Sequence, residues 1–331
     1  MPLALKKGEV LRGRYRILER IGQGGMGNIY LADDTRLEGR KCALKEVEYD
    51  RGLPASVLEQ AQEQFQREAN VLARLDHPNL PKVSDFFSSN QREYLVMDYV
   101  PGKDLRDLMM EARRKKIFLS EEEVLGWAIQ LADALNFLHQ QDPPIIHRDI
   151  KPSNLKITPN NVLKLVDFGL VKIMAPDEVT ITIIQGQGTA LYTPMEQYGS
   201  DDAHTDVRAD IFSMGATFYH LLTNEPPADA RRRFLDSDSL IPPREINSKI
   251  SPRAENAVLW AMALHPDDRP QSIVEFRQAL IGELNAPTRI SNSRPGVSPM
   301  GGVSDMQTYE TIMVYAAGTF FLIGLIATLF H

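Results

Sequence analysis

The stretch His147-Arg148-Asp149-Ile150-Lys151-Pro152-Ser153-Asn154, with Asp167-Phe168-Gly169 beginning thirteen residues after its end, concentrates more usable chemistry than any other part of the chain. Asp149 can accept a proton, Asn154 and Asp167 can offer oxygens to a divalent cation, and Lys151 can neutralise a transferring phosphoryl group. Each residue alone has an ordinary explanation, since Asp and Asn are common in turns and Pro152 can simply end one. Together they supply the parts of a phosphoryl-transfer site, and the rest of the sequence can be asked whether it supplies a nucleotide cradle to match.

Upstream, Gly22-Gln23-Gly24-Gly25-Met26-Gly27 lies between two strand-like segments, 15–21 and 28–32. Glycines let backbone approach a polyphosphate closely, although the pattern alone also occurs in ordinary turns. A dinucleotide-binding turn would open a helix after its third glycine, whereas Ile29-Tyr30-Leu31 continues as a strand. The spacing therefore predicts a hairpin lid over phosphates. Along 41–47, period-two alternation places Ala43, Lys45 and Val47 on one face and Cys42, Leu44 and Glu46 on the other. In the helical segment 55–75, Leu58, Ala61, Phe65, Glu68, Leu72 and Leu75 repeat at spacings of three and four, so Glu68 sits inside an apolar stripe. A buried carboxylate there asks for a cation, and Lys45 is the nearest candidate the topology offers; a solvent-facing stripe edge is the other reading.

Short β-forming runs dominate up to Val100, and helical signals dominate after Gly102. The pattern predicts an α+β chain, with a small sheet-rich lobe over 15–100 and a larger helical lobe over 101–284. Helices are expected at 121–139, with Ser120 and Glu123 as a capping box, at 210–222 and at 252–263. Trp127 and Trp260 fall in helical stretches and belong to the core. The histidines at 77, 139, 204, 220 and 265 lack metal-ligand spacing.

The net charge of −7 over 331 residues, with no local basic patch, argues against a nucleic-acid partner. The single cysteine, Cys42, excludes an internal disulfide framework and a thiolate zinc site. These averages conceal the tail. From Thr311 to Phe330 there is no charged side chain, and ten of the nineteen residues 312–330 are Ile, Val, Leu or Phe. As a helix that stretch spans roughly 28 Å, close to the hydrocarbon thickness of a bilayer. A Pro, Gly and Ser-rich linker over 285–311 precedes it, and Arg289 and Arg294 fit the positive-inside rule. The N-terminus lacks the apolar core of a signal peptide. The expectation is a single-pass protein of the cell membrane, anchored by its C-terminal helix, with residues 1–14 an N-terminal extension and the bulk facing the cytoplasm.

The chain resembles the eukaryotic-type Ser/Thr protein kinases of bacteria from Tyr15 to about Leu284. The resemblance implies the bilobal protein-kinase fold and an ATP-dependent kinase using Mg²⁺ or Mn²⁺, acting on Ser or Thr hydroxyls of protein substrates. It makes Asp149 the catalytic base, Lys151 the γ-phosphate contact, and Asn154 and Asp167 the metal ligands. Lys45 becomes the lysine on the α and β phosphates and Glu68 its helix partner. Ile21, Gly22, Gly24, Gly27, Ile29 and Ala43 would surround the nucleotide. Tyr94 to Val100 resembles the hinge strand, with Met97 as gatekeeper and the Asp98 and Val100 backbones against adenine. Lys151 together with Thr189 resembles the Ser/Thr-specific pattern. Asp210 resembles the buried aspartate that braces the catalytic loop, although an ordinary helix N-cap would also place an aspartate there. A phosphate on Thr180 or Thr182 would pair with Arg148, so autophosphorylation of that segment is expected.

Two positions depart from the family pattern. Pro194-Met195-Glu196 stands where Ala-Pro-Glu is usual, with Arg269 matching the glutamate's partner. Lys156 replaces the apolar residue under adenine; its stem can still pack there while the ammonium reaches out. Two other readings compete with the kinase: a membrane-anchored pseudokinase scaffold and a small-molecule phosphotransferase. Lobes of this family often pair, so a kinase-domain homodimer is one expected assembly. Gly318 and Gly324 form no Gly-x-x-x-Gly, which gives a dedicated dimer face in the tail only weak support.

Overall fold

Ten residues of strand β2 (Tyr15–Gly24) return through the glycine turn into β3 (Gly27–Asp34) and then β4 (Lys41–Val47), the antiparallel ribbon on which the cleft is built. The computed structural model describes residues 4–24, 27–47, 49, 54–90, 92–167, 190–198 and 205–287. The expected linker and membrane span, and Thr180, Thr182 and Thr189, lie outside the described residues. Among the described residues no helix is long and apolar enough to cross a membrane.

The first sheet runs β1 (Val10–Leu11), β2, β3, β4, β6 (Arg92–Asp98), β5 (Val83–Ser89), all antiparallel. Alternation along β4 divides its neighbours as the sequence implies. Cys42 and Leu44 join Tyr15, Tyr30, Phe87 and Tyr94 in one cluster, while Ala43 and Val47 join Leu95 and Met97 against helix α1 (Ala55–Arg74). Stacked rings of Tyr15, Phe87 and Tyr94, with centroids 5.7 and 5.2 Å apart, close the outer face. The residues before Tyr15, expected as an extension, in fact contribute to this lobe. Leu11 is buried, and β1 pairs with β2 because Gly8 and Gly13 supply the left-handed turns around it.

The helical lobe follows a two-residue strand, β7 (Lys103–Asp104), which pairs with β8 (Leu155–Ile157) and through it with β9 (Leu163–Leu165). Its helices are α2 (Leu105–Arg114), α3 (Glu121–His139), α4 (Val207–Thr223), α5 (Ala230–Leu235), α6 (Pro243–Ile246), α7 (Pro252–Ala261) and α8 (Ile273–Ile281). Capping side chains fix most of the starts. Asp104, Ser120, Asp206, Ser251 and Ser272 each accept a first-turn N–H. Ser120 takes the Glu123 N–H at 3.2 Å and donates to its carboxylate at 2.8 Å, so this cap differs from a full capping box, in which Glu123 would reach back to the Ser120 N–H. Helix α4 is buried on nearly every side, from Ala209 to Thr223 with only His220 half-buried, and forms the spine against which the segment 147–154 rests.

Candidate active site

Across β3, β4 and β6 the register aligns Ile29, Lys45 and Leu95 in one row and Leu31, Ala43 and Met97 in the next. Gly22 faces Ile29 in β2, so the first row begins at the glycine turn. Gly27 has φ +141°, and a Cβ there would lie 2.2 Å from the carbonyl oxygen of Glu46. No larger residue fits without moving the strand that carries Lys45. On the opposite face Glu46, only 1% exposed, accepts from Asn28 Nδ2 at 2.7 Å, Arg92 Nη1 at 2.5 Å, Tyr94 Oη at 3.2 Å and Tyr30 Oη at 3.3 Å. These bonds tie the residue after Gly27 to β4.

Lys45 is 6% exposed and donates to Asp167 Oδ1 at 2.5 Å. Burial alone would raise the Asp167 carboxyl, but Lys45, then Lys151 and His147, hold it below its ordinary value and keep it ionised. Glu68 is 3% exposed, the buried one of the two readings of the stripe, and accepts from Gln64 Nε2 at 3.0 Å.

The segment 147–154 is knotted around Asp149. Lys151 Nζ reaches both its carboxylate oxygens at 2.9 and 2.8 Å, and Asn154 Nδ2 bonds its backbone oxygen at 2.8 Å and Oδ2 at 2.9 Å. Asn154 is buried, which leaves its Oδ1 as the oxygen for a cation, and Val166 N donates to the Asn154 carbonyl at 2.8 Å, next to Asp167. Two oxygen-bearing side chains of this kind suit a hard divalent cation whose remaining ligands are phosphates and water. Arg148 and Asp167 both adopt left-handed backbone, φ +63° and +60°, a conformation uncommon for residues with a Cβ. Each costs about 1–3 kcal/mol and persists only where the surroundings impose it.

Asp210 imposes it at Arg148. It is fully buried in the first turn of α4, accepting Arg148 N and His147 N at 2.8 Å each and facing His139 Nε2 at 2.9 Å. Burial would raise its carboxyl, but His139 and then His147 hold it below the ordinary value. The N-cap reading of Asp210 is corrected: Asp206 caps α4, accepting Arg208 N at 2.8 Å. His139, which had no assigned part, is the side chain that pairs this buried charge.

A family model described as the protein kinase domain matches residues 15–280. The chain belongs to that family. It is 35% identical over 287 residues to the serine/threonine-protein kinase PknB of Mycolicibacterium smegmatis, which covers 82% of this chain and 43% of that one. To a probable serine/threonine-protein kinase of Clostridium acetobutylicum it is 33% identical over 284 residues, covering 84% and 41%. The chain thus spans less than half the length of these curated relatives. Among solved structures it is similar to the PknI kinase domain of Mycobacterium tuberculosis, with TM-score 0.64, 28% identity, and 85% and 99% of the two chains covered. It is also similar to a structure described as PpkA-294 in its apo form, with TM-score 0.66, 28% identity and coverage of 84% and 99%.

In this kinase domain the displaced proline leaves the Glu196 and Arg269 pair intact. Arg269, 1% exposed, donates to Glu196 at 2.6 and 3.0 Å and spends its other donors on the carbonyls of Ala263, Leu264 and Arg208. Lys156 is half-buried with its ammonium 5.6 Å from the Tyr99 ring in the hinge, and burial pushes it below the ordinary lysine value against the pull of Asp104 and Asp107. Met97, Ala43 and Val100 are buried, Ile21 is 42% exposed, and Asp98 N donates to Lys82 O at 2.9 Å. Sequence reasoning missed Asn79 and Gln130. Asn79 donates to Leu163 O at 2.8 Å and its carbonyl accepts Leu165 N at 2.8 Å, while Gln130 Oε1 takes Leu163 N at 2.9 Å. Together they pin β9, the strand that delivers Asp167.

Proposed function

We propose that this chain is an ATP-dependent Ser/Thr protein kinase that transfers the γ-phosphoryl group to hydroxyls of protein substrates. The observation that carries the reading is the joint placement of Asp149, Lys151 and Asn154 in one hydrogen-bonded knot beside the Lys45–Asp167 pair. Asp149, partly exposed and held by Lys151 and Asn154, receives the proton of the attacking hydroxyl. Lys151 then stands next to both the base and the incoming charge. Asn154 Oδ1 and Asp167 would hold Mg²⁺ or Mn²⁺, which when bound neutralises phosphate oxygens. Lys45 would hold the α and β phosphates and pair with Glu68. The Gly22–Gly27 turn would close over the phosphates, with Ile29, Ala43, Met97 and the Asp98–Val100 backbone around the base.

The same reading extends to regulation and location. Autophosphorylation at Thr180, Thr182 or Thr189 would bring a dianion within the reach of basic groups such as Arg148. The apolar stretch 312–330 would anchor the kinase domain to the cell membrane, with the catalytic lobes on the cytoplasmic side. Incubation of the full chain with Mg-ATP and a generic basic protein, followed by phosphoamino-acid analysis and mass spectrometry of segment 168–189, tests both parts. Phosphoserine and phosphothreonine on substrate, and phosphothreonine in the segment, are expected. Phosphotyrosine alone would contradict the specificity, and an unmodified segment in an active enzyme would contradict the regulation.

A further inference from the structure

Beside the hinge, on a wall made by Asp98, Tyr99 and Val100, lies a cleft of about 300 Å³ whose other lining residues, Arg40, Lys41, Pro81, Pro101, Thr158 and Lys164, none of the steps above uses. That volume is at the small end of ligand pockets. Its cations are Arg40 and Lys41 from the start of β4 and Lys164 from β9, so both lobes contribute. Its one lining carboxylate, Asp98, is already engaged by Arg40 at 3.1 Å. Lys164 Nζ donates to a neutral acceptor, the Leu80 carbonyl, at 3.3 Å, and Lys41 stands opposite Asp33 in the β3–β4 ladder with no ion pair among the described residues. Moreover, Lys164 stands directly opposite Lys156 in the β8–β9 ladder, a like-charge arrangement that destabilises a sheet pair. The ammonium of Lys156 lies against the ring of Tyr99, the same side chain that lines the cleft. Three lining cations therefore meet a single lining carboxylate in a small recess, which leaves it with an excess of positive charge. Pro81 and Pro101 add apolar surface beside the Tyr99 ring.

We propose that this cleft is a second binding site, distinct from the nucleotide site, for a small phosphomonoester with a flat apolar body. The phosphate dianion would meet Lys41, Lys164 and Arg40, and the flat part would lie along Pro81 and Tyr99. Phosphate favours several converging cations, and partial enclosure protects the pairs from screening.

The test uses the full chain in detergent, saturated with Mg²⁺ and a non-hydrolysable ATP analogue so that the nucleotide site is filled, and titrated with phenyl phosphate under ligand-observed NMR. Saturable binding is expected, with none by benzyl alcohol, which has the ring without the charge. Lys41→Glu, an exposed position, should weaken binding several-fold, and Lys41→Glu with Lys164→Gln about tenfold or more. The single variant keeps the comparison available if the double variant fails to fold. Binding by wild type that both variants retain, binding that vanishes when the ATP analogue is present, or no binding by wild type would each overturn the proposal. Because the readout is binding, its failure is distinguishable from failure of the kinase reading.

Discussion

Single charged side chains carry most of the organisation, and they divide by how far away their partners lie in sequence. Lys45 and Glu68 were partly legible, because periodicity put each beside apolar neighbours and burial of an ionised group demands a response, although spacing alone left a solvent-facing edge open for Glu68. His139, Asn79 and Glu46 were not. Each is one polar residue in an element whose pattern gives no hint of a partner, and the partners stand as many as 84 residues away. His220 belongs to the same class. It lies at 2.7 Å from the Tyr192 hydroxyl, and burial, then Arg113, push its pKa down to about 4 from an ordinary 6.5. Between those values the unfolded chain takes up a proton that the folded one refuses, so stability should fall as pH drops through that window. The contribution is on the order of 2 kcal/mol after allowing for partial exposure. Melting temperature followed from pH 7 to pH 4 should decline less steeply in His220→Gln than in wild type; equal slopes would remove His220 from this role.

Elements were read best where sequence supplies both a period and a stop. Helix α3 spans the same residues as expected, since Ser120 starts it and the apolar pattern sustains it to His139. Helices α5 and α6, of six and four residues, are too short for a 3.6-residue period to register. The strand β9 is shorter still, yet it positions Asp167, and side chains from the segment between α1 and β5 and from α3 rather than its own sequence hold it in place. Asn79→Ala would leave the Leu163 carbonyl without its side-chain donor while sparing the backbone bond to Leu165. A loss of about 1–3 kcal/mol in denaturant unfolding is expected, with a lower phosphorylation rate as Asp167 loosens. Unchanged stability would show that Gln130 and the backbone suffice.

At the scale of the whole molecule, the two-lobe plan followed from a single change of period near Gly102, and the described elements reproduce it. The position of one lobe's lysine against the other's aspartate did not follow, because it depends on packing across the cleft rather than on any local pattern. The tail makes a separate claim. If residues 312–330 anchor the protein, the full chain should sediment with membranes after an alkaline carbonate wash, and a chain ending at residue 287 should remain soluble. A full chain released by the wash would contradict the anchor without touching the catalytic reading.

The most direct test of the central claim is the rate of phosphoryl transfer from Mg-ATP to a protein substrate by wild type and Asp149→Asn, measured beside their melting temperatures. Loss of the general base should lower kcat by about 10²- to 10⁴-fold with melting and nucleotide affinity nearly unchanged. Equal rates in the two proteins would contradict the account, and so would a wild-type chain that binds nucleotide but transfers nothing.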